Sequence, residues 1–294
     1  MNKILFSIYR ILVPKPLRTI ILKKNLRKKI LQYFASLPEG EVNDEQREVL
    51  KYLENNTVTI FPYPFYNNYS PELIEVFYDH GNGMHYVFLD GKRLYFRKGW
   101  SKKRIQRAFA DLTREQDVNS PHRYLSDNFT VNNDDIIADI GAAEGNFSLS
   151  VIDKIKKTYL FESDYRWIEA LKATFAPYSA KVEIINKRVA DYDDKNNIRF
   201  DTFYNTGRGI TFLKIDVDGA EQNVLNSCKT ILSDKVQLKI ALCSYHKNND
   251  EEDFTMLLKD YGFKISYSKG YMIHYYDKKI KAPWLRRGLI RAVK

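Results

Sequence analysis

Strand-like apolar runs alternate with helix-like amphipathic segments from Asn132 onward, and this alternation constrains the fold more than any other feature of the 294-residue chain. Strands and helices in strict alternation pack as a parallel sheet covered by helical crossovers. We therefore predict an α/β domain over residues 128–276. Its predicted strands are 136–140, 158–162, 182–186, 210–216 and 236–244.

The end of this domain carries a different pattern. The segments FKISYS and YMIHYY alternate apolar and polar residues, and Lys269-Gly270 separates them. Alternation around a short glycine turn predicts an antiparallel hairpin. We expect this hairpin to close one edge of the sheet.

A smaller α+β region precedes the predicted sheet, over residues 38–127. Strand-like segments flank the turns at Gly81-Asn82-Gly83 and Asp90-Gly91, which predicts an antiparallel meander. A basic amphipathic helix is expected to begin after Ser101. We interpret this region as an accessory unit that contacts the substrate.

The net charge of +10 is concentrated at the two ends of the chain. Residues 1–37 contain nine Lys and Arg and no acid, and residues 277–294 contain seven with one acid. Both basic tails also contain apolar residues, and such segments bind anionic membrane surfaces. We expect peripheral association with the inner face of a membrane, the alternative being that these residues pack on the protein body. They are Ile4, Leu5, Ile8, Ile11, Leu12, Trp284, Leu285, Leu289 and Ile290.

Cysteine usage and hydropathy predict the compartment. Cys228 and Cys243 lie in apolar segments without the spacing of a metal site, which predicts buried, reduced thiols and a cytoplasmic protein. No uncharged apolar stretch approaches the ~20 residues that a membrane-spanning helix needs.

The loop after the first predicted strand, IIADIGAAEGNFSLS, holds two glycines, Gly141 and Gly145. Dinucleotide-binding loops read G-x-G-x-x-G, but here the second glycine is missing and Glu144 would face the phosphates. S-adenosylmethionine has no phosphate and carries a cationic sulfonium, so it suits a loop flanked by Asp139 and Glu144. Glu162 lies 21 residues after Gly141, at a strand end where its carboxylate can accept both ribose hydroxyls.

Four segments resemble the FkbM-type methyltransferases, a family of class I S-adenosylmethionine-dependent enzymes. They are IIADIGAAEGNFSLS, YLFESDYRWIEALK, FLKIDVDGAEQNVL and KGYMIHYY with PWLRRGLIRA. The resemblance implies a Rossmann-like sheet and O-methylation of a hydroxyl on sugars or polyketide-like products. Family members commonly have Glu where this chain has Asp218. The predicted cofactor-binding residues are Asp139, Gly141, Ala142, Gly145, Asn146, Phe147, Glu162, Ser163, Val189, Ala190 and Asp216.

Polar side chains at the ends of the fourth and fifth predicted strands are the candidates for catalysis. Because these strand ends lie side by side in the class I arrangement, Asp216 and His246 are expected to meet. We predict that His246 is the general base and that Asp216 orients it or the acceptor. Alternatively, Asp216, Asp218 and His246 bind a divalent cation.

The predicted function is methylation of a sugar or glycan hydroxyl, including glycan precursors linked to lipid. The alternatives are an RNA methyltransferase, another small-molecule O-methyltransferase, and a glycan-binding protein without activity. The nucleic-acid hypothesis is disfavoured because the positive charge is confined to the tails and no N-P-P-Y-type motif follows the fifth strand.

Overall fold

The described N-terminal part of the chain forms three α-helices and a three-stranded sheet in the computed structural model, which describes residues 14–38, 40–205 and 207–294. The predicted meander is confirmed, with both strand pairs antiparallel. The predicted helix start is also confirmed, since the side chain of Ser101 accepts a hydrogen bond from the backbone N–H of Arg104. The elements are α1 (Lys15–Ala35), α2 (Asp44–Asn55), β1 (Phe77–Asp79), β2 (Met84–Leu89), β3 (Lys92–Tyr95) and α3 (Lys102–Glu115).

The remainder of the chain builds a seven-stranded sheet with helices between its strands. The strands of this sheet are β4 (Ile136–Ile140), β5 (Lys157–Phe161), β6 (Val182–Ile185), β9 (Phe212–Ile215), β10 (Lys239–Cys243), β11 (Lys264–Tyr267) and β12 (Leu289–Val293). A separate parallel pair is formed by β7 (Arg188–Val189) and β8 (Asn197–Ile198). The helices are α4 (Asn146–Val151), α5 (Tyr165–Phe175), α6 (Phe200–Tyr204), α7 (Glu221–Asn226), α8 (Lys229–Ser233) and α9 (Asp250–Asp260).

The strand order is β11-β12-β10-β9-β4-β5-β6, and β12 runs antiparallel to both of its neighbours. The central strand β4 is parallel to β9 on one side and to β5 on the other. Because connections leave β4 and β9 in opposite directions across the sheet, their carboxyl ends border the crevice where open α/β sheets bind ligands. The predicted α/β fold with an antiparallel C-terminal hairpin is confirmed.

The second strand of that hairpin comes from a different segment than predicted. The strand is β12, which lies between β10 and β11, whereas residues 271–276 contribute only the bridge between Met272 and Arg286. This strand is buried on both faces, because Leu289 and Ile290, which point to opposite faces of the sheet, are both fully buried, as is Ala292. The prediction that YMIHYY forms the strand is therefore wrong, and part of the basic stretch 277–294 belongs to the sheet.

Other residues of the C-terminal stretch pack on the protein body. The ring of Trp284 meets the ring of Tyr33 edge to face, with centroids 5.7 Å apart, and Leu285 is buried. Arg286 is buried as well, and its Nη1 donates to the backbone carbonyls of Tyr245 and His246 at 2.8 Å. In the C-terminal tail, these residues therefore pack on the protein body, which was the alternative to membrane contact.

The other predicted membrane-binding residues, Ile4, Leu5, Ile8, Ile11 and Leu12, lie outside the described residues. Within the described part of the chain, no helix combines the length and hydropathy that crossing a bilayer requires. Both cysteines are free and buried, which confirms the expectation of reduced thiols.

Candidate active site

A cleft of about 490 Å³ lies at the carboxyl ends of β4, β5 and β9. This volume is within the range of small-molecule sites. Lys187 and Arg188, which sequence reasoning did not single out, also line the cleft. The predicted cofactor-binding residues that line it are Gly141, Glu162, Ser163, Val189 and Asp216.

Gly141 lets the loop after β4 approach the end of β9. Its φ of +81° is in the left-handed region, and a Cβ there would lie 1.9 Å from the backbone oxygen of Asp216. Gly145 has a φ of +83° and faces the ring of Phe175, which a Cβ would approach to 2.7 Å. The two glycines are therefore required by the loop itself: one for the close approach to β9, the other for packing against α5.

Asp139 lies behind the loop and does not line the cleft. The Nζ of Lys214 lies 3.1 Å from Asp139 Oδ1 and donates to the carbonyl of Gly141 at 2.6 Å, while the hydroxyl of Ser148 donates to Asp139 Oδ2 at 2.8 Å. Burial alone would lower the pKa of Lys214, but the charge of Asp139 outweighs it and raises that pKa. The buried ion pair thus holds the glycine loop in place, instead of touching a ligand as predicted.

Glu144 differs from the charged residue that the sequence suggested. Its side chain is buried, and burial raises its pKa to about 8, which favours the neutral carboxyl. Asn146 and Phe147 line a different cleft, of about 390 Å³, between α3 and α4. The remaining predicted cofactor residues, Ala142, Gly145 and Ala190, are not in the wall of the main cleft.

Glu162 stands at the end of β5 with its carboxylate in the cleft wall. Its Oε2 accepts the backbone N–H of Ala143 at 2.8 Å, and its Oε1 accepts that of Asp164 at 2.6 Å. Each carboxylate oxygen can accept a second hydrogen bond. The side chain is thus fixed by the loops after β4 and β5, and its oxygens can still accept hydrogen bonds from ribose hydroxyls.

Asp216, at the end of β9, is the centre of a buried polar cluster. The hydroxyl of Tyr124 donates to Asp216 Oδ2 at 2.7 Å, the Nε2 of His122 lies 3.5 Å from that oxygen, and the Nε2 of His246 lies 3.9 Å from Oδ1. Burial alone would raise the pKa of Asp216, but His122 and the charge of Lys214 hold the pKa well below its usual range. The carboxylate therefore stays ionised over the whole working pH range.

His246 has its own carboxylate partner. Its Nδ1 lies 3.0 Å from Oε1 of Glu221, and that oxygen accepts the backbone N–H groups of Val217 and Gly219 at 3.0 and 3.2 Å. Burial alone would lower the pKa of His246, but Glu221 and then Asp216 outweigh this effect and raise the pKa. Nε2 is thereby directed toward the end of β9.

The predicted meeting of Asp216 and His246 is present, but sequence reasoning missed the residues that support it. Glu221 lies in the segment FLKIDVDGAEQNVL, and its position five residues after Asp216 is a usable signal for its role. Tyr124 and His122, neither of which was predicted as a catalytic residue, are buried against Asp216.

A cation site at this cluster would have a different composition from the predicted one. The ligating atoms of Asp216, Glu221 and His246 lie within 4.8 Å of one another, and Oε2 of Glu221 is buried without a hydrogen-bond partner. Asp218, the third predicted ligand, has Oδ1 3.8 Å from His246 Nε2, but its side chain is fully exposed. Two carboxylates and an imidazole suit Mg²⁺ or Mn²⁺ but do not select them.

The strand order, the antiparallel β12 and the cleft over the glycine loop together define the architecture of a class I methyltransferase. The model of the family described as Methyltransferase FkbM domain matches residues 83–265, more than half of the chain. The chain therefore belongs to the FkbM methyltransferase family, within the class of S-adenosylmethionine-dependent methyltransferases. No curated protein matches the sequence.

Solved structures similar to this chain include another FkbM methyltransferase. The FkbM methyltransferase of Methylobacillus flagellatus KT is 15% identical, with a TM-score of 0.46; the match covers 66% of this chain and 53% of that one, about half its length. TrmK of M. capricolum, solved with S-adenosyl-homocysteine, is 16% identical, with coverages of 58% and 69% and a TM-score of 0.39. Trm5b of Pyrococcus abyssi is 11% identical, with coverages of 72% and 56% and a TM-score of 0.42.

Proposed function

We propose that this protein transfers a methyl group from S-adenosylmethionine to a hydroxyl of a sugar or glycan. The observation that carries the proposal is the ordered set of Glu221, His246 and Asp216, of which Asp216 lies in the wall of the cleft. An imidazole held by a carboxylate beside a ligand cleft is the arrangement that takes a proton from a hydroxyl.

The cofactor, when bound, supplies an electrophilic methyl group on a sulfonium. We assign its ribose hydroxyls to Glu162 and its polar end to the loop at Gly141, both of which lie in the cleft wall. Asp216 lies in the same wall. Its carboxylate is ionised and attracts the positively charged sulfonium of the cofactor. In this proposal Asp216 provides the negative charge that was expected from Asp139 and Glu144.

His246 is the group we propose as general base. Its Nδ1 faces Glu221, which favours the tautomer with hydrogen on Nδ1 and leaves Nε2 free to accept a proton. The proton of the acceptor hydroxyl passes to Nε2, and the oxygen then attacks the methyl carbon in line with the leaving sulfur. Asp216, 3.9 Å from Nε2, stabilises the imidazolium that forms.

An aromatic rim beside His246 supports a sugar acceptor. The rings of Tyr245 and His246 are 4.1 Å apart, His274 packs on both, and Tyr276 continues the row with 64% of its surface exposed. Burial and the charge of His246 lower the pKa of His274 to about 4, so it is neutral at pH 7. Sugar rings present apolar C–H faces that pack on such side chains, and neutral imidazole can hydrogen-bond their hydroxyls.

The alternative for the proton-transfer step is a divalent cation held by Asp216, Glu221 and His246. It is favoured by the buried, unpartnered Oε2 of Glu221. A cation held by these three residues would lower the pKa of a bound hydroxyl, so that its proton could pass to solvent.

A methyl-transfer assay tests the proposal. Full-length protein with tritiated S-adenosylmethionine is offered free, nucleotide-linked and lipid-linked sugars, alongside tRNA and rRNA. We expect label in a sugar fraction, lowered about 100-fold or more in kcat by His246→Gln. The matched control is His80→Gln, an exposed histidine after β1, which should match the wild type. Label in RNA alone would replace the glycan proposal with the RNA alternative.

A further inference from the structure

The helix α1 divides into a docked half and a projecting half. Toward its C-terminus, Leu26, Ile30 and Phe34 are buried in the core. Toward its N-terminus, Leu17 and Ile20 have 48% and 62% of their surface exposed. The projecting half is thus an apolar helix segment without cover from the described residues.

An outer stripe runs along the side of α1 that faces away from the core. It consists of Leu17, Ile20, Ile21, Lys24 and Lys28, which are spaced three and four residues apart and therefore share one helix face. All five are exposed. The stripe is apolar at its N-terminal end and basic at its C-terminal end.

The charge around the stripe has a single sign. Residues 14–38 contain seven Lys and Arg and no Asp or Glu. Two of these cations hold the helix to the body: Lys23 Nζ lies 4.7 Å above the ring of Tyr275, and Arg27 donates to the carbonyls of Leu53 and Glu54. Lys24, Lys28 and the adjacent Lys29 are exposed to solvent.

We propose that the outer stripe of α1 docks on an anionic lipid surface. Apolar side chains enter the interface while lysines contact the headgroups, so both attractive terms act along one face. A second copy of the chain fits less well, because residues 14–38 contain no Asp or Glu that could pair with the lysines of a facing stripe. Lys23 contacts Tyr275, whose ring lies 4.4 Å from that of Tyr276 in the aromatic rim, so α1 lies beside this rim. The docking itself does not depend on the proposed function.

Co-sedimentation with vesicles tests this surface. Full-length protein is mixed with phosphatidylcholine vesicles with and without phosphatidylglycerol, at low and high salt. We expect binding only to the anionic vesicles, released by salt. Replacing Lys24, Lys28 and Lys29 by Gln should weaken binding on the order of 100-fold, since each lysine near such a surface contributes about fivefold.

Apolar variants provide the decisive comparison. Leu17→Ser, Ile20→Ser and Ile21→Ser combined should reduce binding at least tenfold, whereas Leu73→Ser and Val118→Ser, exposed apolar residues elsewhere, should not. Unchanged thermal melts and S-adenosylmethionine binding show that the variants are folded and separate this result from the enzyme proposal. The proposal would be overturned if the stripe variant and the control variant bound the vesicles equally well, or if the wild type did not bind at low salt. It would also be overturned if the wild type formed a dimer in solution and the stripe variant were monomeric.

Discussion

The Nδ1 atom of His246 lies 3.0 Å from Oε1 of Glu221, and both side chains are buried. The same glutamate oxygen accepts two backbone N–H groups of the turn after β9, so its position is set by the chain that also carries Asp216. The imidazole is therefore ordered from one side by Glu221 and faces Asp216 on the other. Glu221 acts through His246, which makes it a positioning residue.

Replacing Glu221 by Gln should move the pH dependence of the reaction toward acid. The base must be neutral to accept a proton, so kcat rises with pH through a His246 pKa that lies above the ordinary value. Gln keeps the shape and the backbone hydrogen bonds but removes the charge that raises this pKa. The ascending limb measured for Glu221→Gln should thus lie at lower pH than that of the wild type.

The control for that profile is Asp218→Asn, which alters a fully exposed charge 3.8 Å from His246. Because solvent screens an exposed carboxylate, its effect on the midpoint should be smaller than that of Glu221→Gln. Identical midpoints for Glu221→Gln and the wild type would contradict the assignment of Glu221.

Removing metal ions distinguishes the mechanism in which His246 is the general base from the mechanism that uses a divalent cation. If His246 is the base, dialysis against chelator leaves kcat unchanged, and titrated Mn²⁺ keeps its free electron-spin signal in the presence of protein. Loss of activity that Mg²⁺ or Mn²⁺ restores, together with loss of the free Mn²⁺ signal, would instead establish the site at Asp216, Glu221 and His246.

Removing the carboxylate of Glu162 should weaken cofactor binding. Glu162→Ala removes the acceptor for the ribose hydroxyls, and each hydroxyl left without a partner in the bound state costs ~1–3 kcal/mol. The N–H groups of Ala143 and Asp164 lose the same acceptor, but they do so in the free and in the bound protein alike. Calorimetry should therefore show S-adenosylmethionine affinity lower by at least tenfold. Glu169→Ala, an exposed side chain on α5, is the control, and equal affinities for the two variants would refute the ribose assignment.

The backbone conformation and close packing at Gly141 predict that an alanine there lowers the free energy of unfolding substantially. Gly141→Ala must adopt a left-handed φ, costing ~1–2 kcal/mol, and its Cβ also meets the backbone oxygen of Asp216. Gly91 has a similar φ of +76° with nothing near its Cβ position. Urea unfolding should show Gly141→Ala at least ~2 kcal/mol less stable than Gly91→Ala, and equal stabilities would mean that the loop moves aside.

Local patterns in the sequence were sufficient to predict the parallel strands and the glycine loop. The strand β4, the positive-φ turn at Gly141 and the acid at Glu162 all lie within a short stretch whose periodicity and spacing can be read directly. The identity of β12 was not accessible in this way. Its pairing with β10 and β11 is set by which apolar segment can be buried on both faces, and this depends on contacts distant in sequence.

The catalytic cluster could be predicted only in part for a similar reason. Strand order alone brings Asp216 near His246. The left-handed φ of +52° at Asp218 belongs to the turn that leads into α7, where Glu221 reaches back to the N–H groups of Val217 and Gly219. The spacing of Glu221 from Asp216 is visible in the sequence, whereas the burial of Tyr124 against Asp216 has no signature in residue spacing.

Isothermal titration calorimetry of the full-length protein with S-adenosylmethionine, and with NAD⁺ as a comparison ligand, tests the central claim most directly. The cleft at Gly141, Glu162 and Asp216 predicts saturable binding of one S-adenosylmethionine per chain at sub-millimolar concentration and no binding of NAD⁺. Folded protein that binds NAD⁺, or that shows no heat with S-adenosylmethionine up to millimolar concentration, would contradict the account.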